Sequence, residues 1–216
     1  MTAATSGAQT AGRPVRLPRS ARRKQLLAAA QEVFVAQGYH AAAMDDIAER
    51  AGVSKPVLYQ HFPGKLELYL ALLDQHCDAL VDRMREAMAA TTDNKLRVQG
   101  AMHTYFGFVD GTDEAFRLVF ESDLRNDPAV RERVDRVERG CIEAITHTIT
   151  ADTGLSRERA ELLAAGLTGA AEIAARFWLA NGRQVPREEA EKLVATLAWR
   201  GIASFPLSGA ESGETV

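Results

Sequence analysis

Residues 38–65 read GYHAAAMDDIAERAGVSKPVLYQHFPGK, and this stretch decides the fold. Ile47, Ala48 and Ala51 fall on one face of a short helix over Met44–Ala51, which stops at Gly52. Ser54 is a good N-cap residue and Pro56 is tolerated in a first helical turn, so a second short helix is expected to run to His61. Pro63-Gly64 ends it. The tight turn between the two needs a residue that takes positive φ without steric cost, and Gly52 supplies it. Two short helices joined in this way have the layout of a helix-turn-helix, whose second helix enters the major groove with its N-terminal residues against base edges. A helix of this length has little core to make. What it presents outward justifies it.

Working outward, Leu26, Leu27, Ala30 and Phe34 recur at spacings of three and four, which predicts a helix from about Ser20 to Gly38. A long helix follows from Lys65 to about Ala90. Thr91–Asn94 forms a capping turn before a helix to about Val109. After the turn at residues 110–113, a short helix carries Phe116, Phe120 and Leu124. Asn126-Asp127-Pro128 opens a helix to about Thr150, Ser156–Leu179 forms another, and Pro186 opens the last, to about Phe205. The expected fold is all-α with about nine helices and no strand. Its expected divisions are an arm over 1–18, a three-helix unit over 19–65, a larger helical body over 66–206 and a frayed tail over 207–216.

Composition agrees. Of the 216 residues 46% are apolar and 25% charged, which is ordinary for a globular chain, and alanine, the strongest helix former, is abundant. No apolar run approaches the ~20 residues of a bilayer span, so no membrane association is expected. The first 24 residues hold positive charge but no apolar signal core, and two cysteines, Cys77 and Cys141, are too few for a disulfide framework. A reduced cytoplasm is the expected location. Residues 1–65 contain nine Lys/Arg and four Asp/Glu, hence +5, so the net charge of -3 leaves -8 on the remainder. A basic end on an acidic body points to a polyanion partner at that end. His76 and Cys77 are adjacent while His103, Cys141 and His147 stand alone, so no metal site and no cofactor are expected. The sequence also lacks a G-x-S-x-G elbow, a Walker loop and a dinucleotide fingerprint, and an enzyme is not expected.

The segments AAQEVFVAQGY (29–39) and IAERAGVSKPVLYQHFPGKLEL (47–68) resemble the TetR family of one-component bacterial regulators. The resemblance implies roles for matching positions. Ser54 begins the recognition helix, and Lys55, Pro56, Val57 and Gln60 correspond to its base-facing surface. Gln reads adenine bidentately, and an apolar side chain meets a thymine methyl. Tyr59, His61 and Lys65 correspond to phosphate contacts, which fix position without reading sequence. Ala42 and Ala43 stand where the family usually has Thr or Ser, so the phosphate grip of the preceding helix is weakened. Arg13, Arg16, Arg19, Arg22 and Arg23 are candidates to replace it from the minor groove.

The same resemblance implies that the body binds a small molecule and forms a homodimer on a palindromic operator. Gly166, Gly169 and Ala170, then Ala195 and Ala198, are small residues within apolar stripes of the last two helices and are the expected dimer contacts. The segments at 52–73, TTDN (91–94), FRLVFESDL (116–124) and RFWL (176–179) are similar to acyl-CoA-responsive regulators of fatty acid biosynthesis. That similarity implies a long-chain acyl-CoA effector, with Phe106, Phe116, Phe120 and Phe177 as candidate tunnel walls. Three alternatives remain open: a repressor of an efflux or catabolic operon answering another hydrophobic ligand, an architectural DNA-binding protein without an effector, and a helical acyl-CoA-processing enzyme.

Overall fold

Nine α-helices and no strand make up the described residues of the computed structural model, which are 17–111, 115–120, 124 and 126–202. They are α1 (Arg19–Ala41), α2 (Met44–Arg50), α3 (Lys55–His61), α4 (Lys65–Ala89), α5 (Asn94–Val109), α6 (Ala115–Phe120), α7 (Pro128–Thr153), α8 (Arg157–Ala180) and α9 (Arg187–Ile202). Most of the 1–18 arm, with Arg13 and Arg16, and the whole 207–216 tail lie outside the described residues.

Side chains start two of the body helices. Asp93 accepts from the amides of Lys95 (2.8 Å) and Leu96 (3.3 Å), and Asp127 accepts from those of Ala129 (2.8 Å) and Val130 (3.3 Å), with Pro128 filling a first-turn site. Each cap satisfies two of the amides that a helix start leaves unbonded. Ser54 and Ser156 occupy N-cap positions, yet neither hydroxyl makes the cap bond. The first helix also departs from expectation. It passes Gly38, where φ is 76° and ψ 166°, and resumes for one more turn to Ala41.

The small unit rests on Leu26, Ala30, Ile47, Leu58 and Phe62, all buried. Gly52 adopts φ 64° in the turn between α2 and α3 as expected, and the amide of Val53 returns to the Ala48 carbonyl at 3.0 Å. Helix α4 leads from this unit into the body. It runs parallel to α7: Asp74 pairs with Arg133 (2.9 Å) and Arg136 (2.6 Å), and two turns further along α4 Val81 faces Gly140. A Cβ on Gly140 would stand 2.8 Å from Val81, so the absence of a side chain lets these two helices approach closely.

Helix α8 qualifies our reading of apolar runs. By length and composition it is apolar enough to cross a membrane, although only part of it is buried in the fold. Its exposed apolar residues, Leu162, Ile173 and Phe177, follow helical spacing and form one exposed stripe among the described residues.

Candidate nucleic-acid interface and ligand cavity

The exposed face of α3 carries Lys55, Pro56, Tyr59 and Gln60, with Val57 half-buried beside them. The opposite face is anchored by Leu58 and, just past the helix, Phe62. The geometry therefore brings all the sequence-expected base-facing residues to one surface. Lys55 is exposed, and its ammonium lies 2.6 Å from a carboxylate oxygen of Asp45 on α2, which raises its pKa.

Around the far end of α3 the surface is cationic. His61 is shifted to a lower pKa, first by desolvation and then by the charges of Arg19, Arg23 and Arg22 at the start of α1. The Arg23 guanidinium stacks 4.4 Å from the centre of the Phe62 ring. Arg19 and Arg23 are exposed, so the start of α1 adds positive charge beside the recognition face. One supporting residue was not singled out in the sequence. Gln25 donates its side-chain amide to the Ala51 carbonyl at 2.8 Å and pins the helix-turn-helix turn to α1. The contact spans 26 residues, and no local pattern announces it.

Lys65 is the first residue of α4, as expected, and is half-buried there. Its ammonium donates to the backbone carbonyls of Tyr39 (2.8 Å), His40 (3.2 Å) and Ala42 (2.8 Å) and sits 4.6 Å from the centre of the Tyr39 ring. Ala42 is buried, and Ala43 occupies the N-cap of α2 without a side-chain cap, as the missing hydroxyl requires.

In the body, a cavity of about 450 Å³ lies among the end of α4, the first half of α5, the second half of α7, and α8 and α9. Met88, Val98, Ala101, Met102, Ile145, Ile149, Leu163, Leu167 and Trp199 give it an apolar wall. Arg97, Asn94, Asp152 and Thr153 give it one polar side. There Arg97 pairs with Asp152 at 2.5 Å, both largely buried, and also donates to the Met88 carbonyl at 3.0 Å and the Asn94 side chain at 2.8 Å. A predominantly apolar pocket of a few hundred Å³ with a few convergent polar groups is the usual form of a small-molecule site.

The four expected tunnel phenylalanines do not line this cavity. Phe106, Phe116 and Phe120 are buried in ring-on-ring packing, Phe106 against Trp178 at 5.6 Å and Phe120 against Phe108 and Phe116 at 6.0 and 5.7 Å. Phe177 is 69% exposed on α8 because one helical step separates it from the buried Trp178. The aromatic residue at the cavity is Trp199 instead.

Gly166 and Ala170 are exposed on the apolar stripe of α8, and a Cβ at Gly166 or Gly169 meets nothing within 4 Å. Helix α9 adds Leu193 and Leu197, 58% and 75% exposed. Ala195 points the other way, 4% exposed against the protomer's own core, and Ala198 is half-buried against the same core. The outward stripe of α9 is therefore made by its leucines and not by its alanines. No group of three metal-ligating side chains occurs among the described residues. Burial pushes the Cys77 and Cys141 thiols up to about 12 and about 11, so neither is a thiolate nucleophile near neutral pH.

Comparison with known proteins agrees with this arrangement. The sequence pattern of "Bacterial regulatory proteins, tetR family" matches residues 26–72, and that of "Tetracyclin repressor-like, C-terminal domain" matches residues 95–201. The HTH-type transcriptional activator FasR of Mycolicibacterium smegmatis is 47% identical over 193 residues, covering 89% of this chain and 88% of FasR. Among solved structures, FadR of Bacillus subtilis in complex with stearoyl-CoA superposes with a TM-score of 0.69 at 21% identity, over 83% of this chain and 98% of FadR. A tetR-family regulator from Streptomyces coelicolor superposes with a TM-score of 0.68 at 29% identity, over 87% and 82% of the two chains. With both of its parts matched and so long a stretch shared with FasR, the chain belongs to the TetR family of bacterial transcription regulators.

Proposed function

We propose that a cytoplasmic homodimer of this chain binds a palindromic operator and is released from it by a long-chain acyl-CoA whose aliphatic tail occupies the α4–α5–α7–α8–α9 cavity, so controlling genes of lipid metabolism. The cavity is the observation that carries this reading. Its wall is apolar over five helices, and its polar groups gather on one side around Arg97 and Asp152, which suits a long chain ending in a polar head. Each methylene buried is worth about 0.8 kcal/mol, so an aliphatic tail binds without many polar contacts. The same fold holds stearoyl-CoA in B. subtilis FadR, and a curated relative of this chain, 24% identical over 127 residues, is named fatty acid metabolism regulator protein.

At the other end, Lys55, Pro56, Val57 and Gln60 face the bases, while Ser54, Tyr59, His61, Arg19 and Arg23 take phosphates. The exposed stripes of α8 and α9, with Gly166, Gly169 and Ala170 among them, form the dimer seam, which spaces two copies of α3 for a two-fold site. A ligand shifts such a protein only by its preference for one arrangement over another. Met88 gives α4 a place in the cavity wall, and α4 begins beside the helix-turn-helix, so filling the cavity acts on the spacing of the two α3 helices. The test is operator release, followed by fluorescence anisotropy, against acyl-CoAs of increasing length in wild type and in Ala101→Trp, which fills the cavity. Release by long chains that the substitution removes supports the reading, and release by no acyl-CoA rejects it.

A further inference from the structure

We infer that Lys65 is a positioning residue, clamping the link between α1 and α2 onto the start of α4, and does not serve as a phosphate contact. An ammonium has three N–H groups, and here three backbone carbonyls accept them: Tyr39, His40 and Ala42. All three follow Gly38, whose φ of 76° and ψ of 166° lie in a region open almost only to glycine. Beyond that turn, the carbonyls of Tyr39 and His40 in the last turn of α1 and of its C-cap residue Ala42 converge on one point. Carbonyls at a helix end carry partial negative charge, and the cation answers it. Swinging the ammonium out to a phosphate would break all three of these hydrogen bonds.

The clamp sits where the two parts of the molecule join. Ala42 is followed by Ala43, the N-cap of α2, so the carbonyl gripped last lies two residues before the helix-turn-helix begins. Lys65 is the first residue of α4, and Met88, on the cavity wall, is 23 residues further along the same helix, about 34 Å at 1.5 Å per residue. A second contact runs parallel to the first: the Tyr39 ring under the ammonium packs edge-on against Tyr69 of α4 at 5.2 Å. The orientation of α3 relative to the body, and hence to the second protomer, passes through this joint. The inference concerns this chain's DNA-reading geometry and holds whichever effector fills the cavity.

The experiment uses the full chain and two duplexes, one selected from random DNA by the wild-type protein and one unrelated. Affinities are measured over a range of salt for Lys65→Met and Lys65→Arg. A planar guanidinium keeps the charge but cannot cap three converging carbonyls as an ammonium does. In Lys65→Arg the selected duplex is expected to bind about tenfold more weakly, with the unrelated duplex and the salt slope unchanged. Lys65→Met is expected to lose preference for the selected duplex in the same way. The inference is overturned if Arg restores wild-type binding, or if Met weakens both duplexes alike and lowers the salt slope by about 0.9, the signature of one lost phosphate contact. Failure of Lys65→Arg to fold, read by thermal melting, also overturns it, because Lys65 is then a general stability residue.

Discussion

Lys55 and Asp45 form an ion pair across the helix-turn-helix, ammonium to carboxylate at 2.6 Å, on the surface proposed to meet DNA. Both side chains are more than half exposed, so the pair adds little to stability, but it holds the cation in a place where phosphates and bases must compete for it. Asp45→Asn frees Lys55 and removes a carboxylate from the interface. Binding to an unrelated duplex at low salt is expected to strengthen about three- to tenfold, with discrimination between duplexes reduced. Titrations of both duplexes at two salt concentrations check this.

With His61 at the proposed phosphate-contact position, operator binding is expected to depend on pH. In the free protein desolvation and the nearby Arg19, Arg23 and Arg22 hold its pKa below the ordinary 6.5. A DNA phosphate beside it favours the charged ring and raises the pKa, so binding takes up a proton. Affinity therefore rises as pH falls through the interval between the free and bound pKa values. At higher pH, where the ring is neutral in both states, the dependence vanishes. His61→Gln is expected to flatten the profile, which anisotropy at a series of pH values measures.

The proposed dimer seam is tested where the protomer tolerates change. A side chain at Gly169 meets nothing within 4 Å, and Leu197 is 75% exposed, so Gly169→Arg and Leu197→Arg leave the protomer folded while placing a charge in the seam. Light scattering is expected to find monomers with little operator affinity. Ala195→Arg is the contrast: it forces a charge against the protomer's own core and is expected to lower the melting temperature.

The phenylalanines separate core from cavity. Phe106→Ala or Phe120→Ala removes a buried ring and is expected to cost about 3–5 kcal/mol of stability. Phe177→Ser, on the exposed stripe, is expected to weaken dimerisation without altering ligand binding. Chemical denaturation and sedimentation distinguish the two classes.

Much of this was legible in the sequence because it is local. Gly52, Asp93 and Asp127 each announce a turn or a cap within a few residues, and helix limits follow from them. The exposed face of α3 follows from a four-residue period that buries Leu58 and Phe62. What was not legible depends on distance along the chain. Arg97 and Asp152 are 55 residues apart, and the cavity between their helices is a gap in packing, which no single helix encodes. Lys65 caps carbonyls 23 to 26 residues back. Helix α9 has apolar residues on two faces, so small size alone did not tell Ala195, turned inward, from Leu193 and Leu197, turned out. Phe177 and Trp178 illustrate the same limit: adjacent aromatic residues on a helix differ by one step of rotation, and only one of them faces the core.

The most direct test of the account is operator release measured against acyl-CoAs of increasing chain length. With the wall formed by Ala101, Met102, Ile149 and Leu167, the concentration for half release is expected to fall by about fourfold for each added methylene until the cavity is full, at 0.8 kcal/mol apiece. Ala101→Trp is expected to abolish release while leaving operator affinity intact. A flat response at every chain length, from protein that is folded and bound to its operator, contradicts the account.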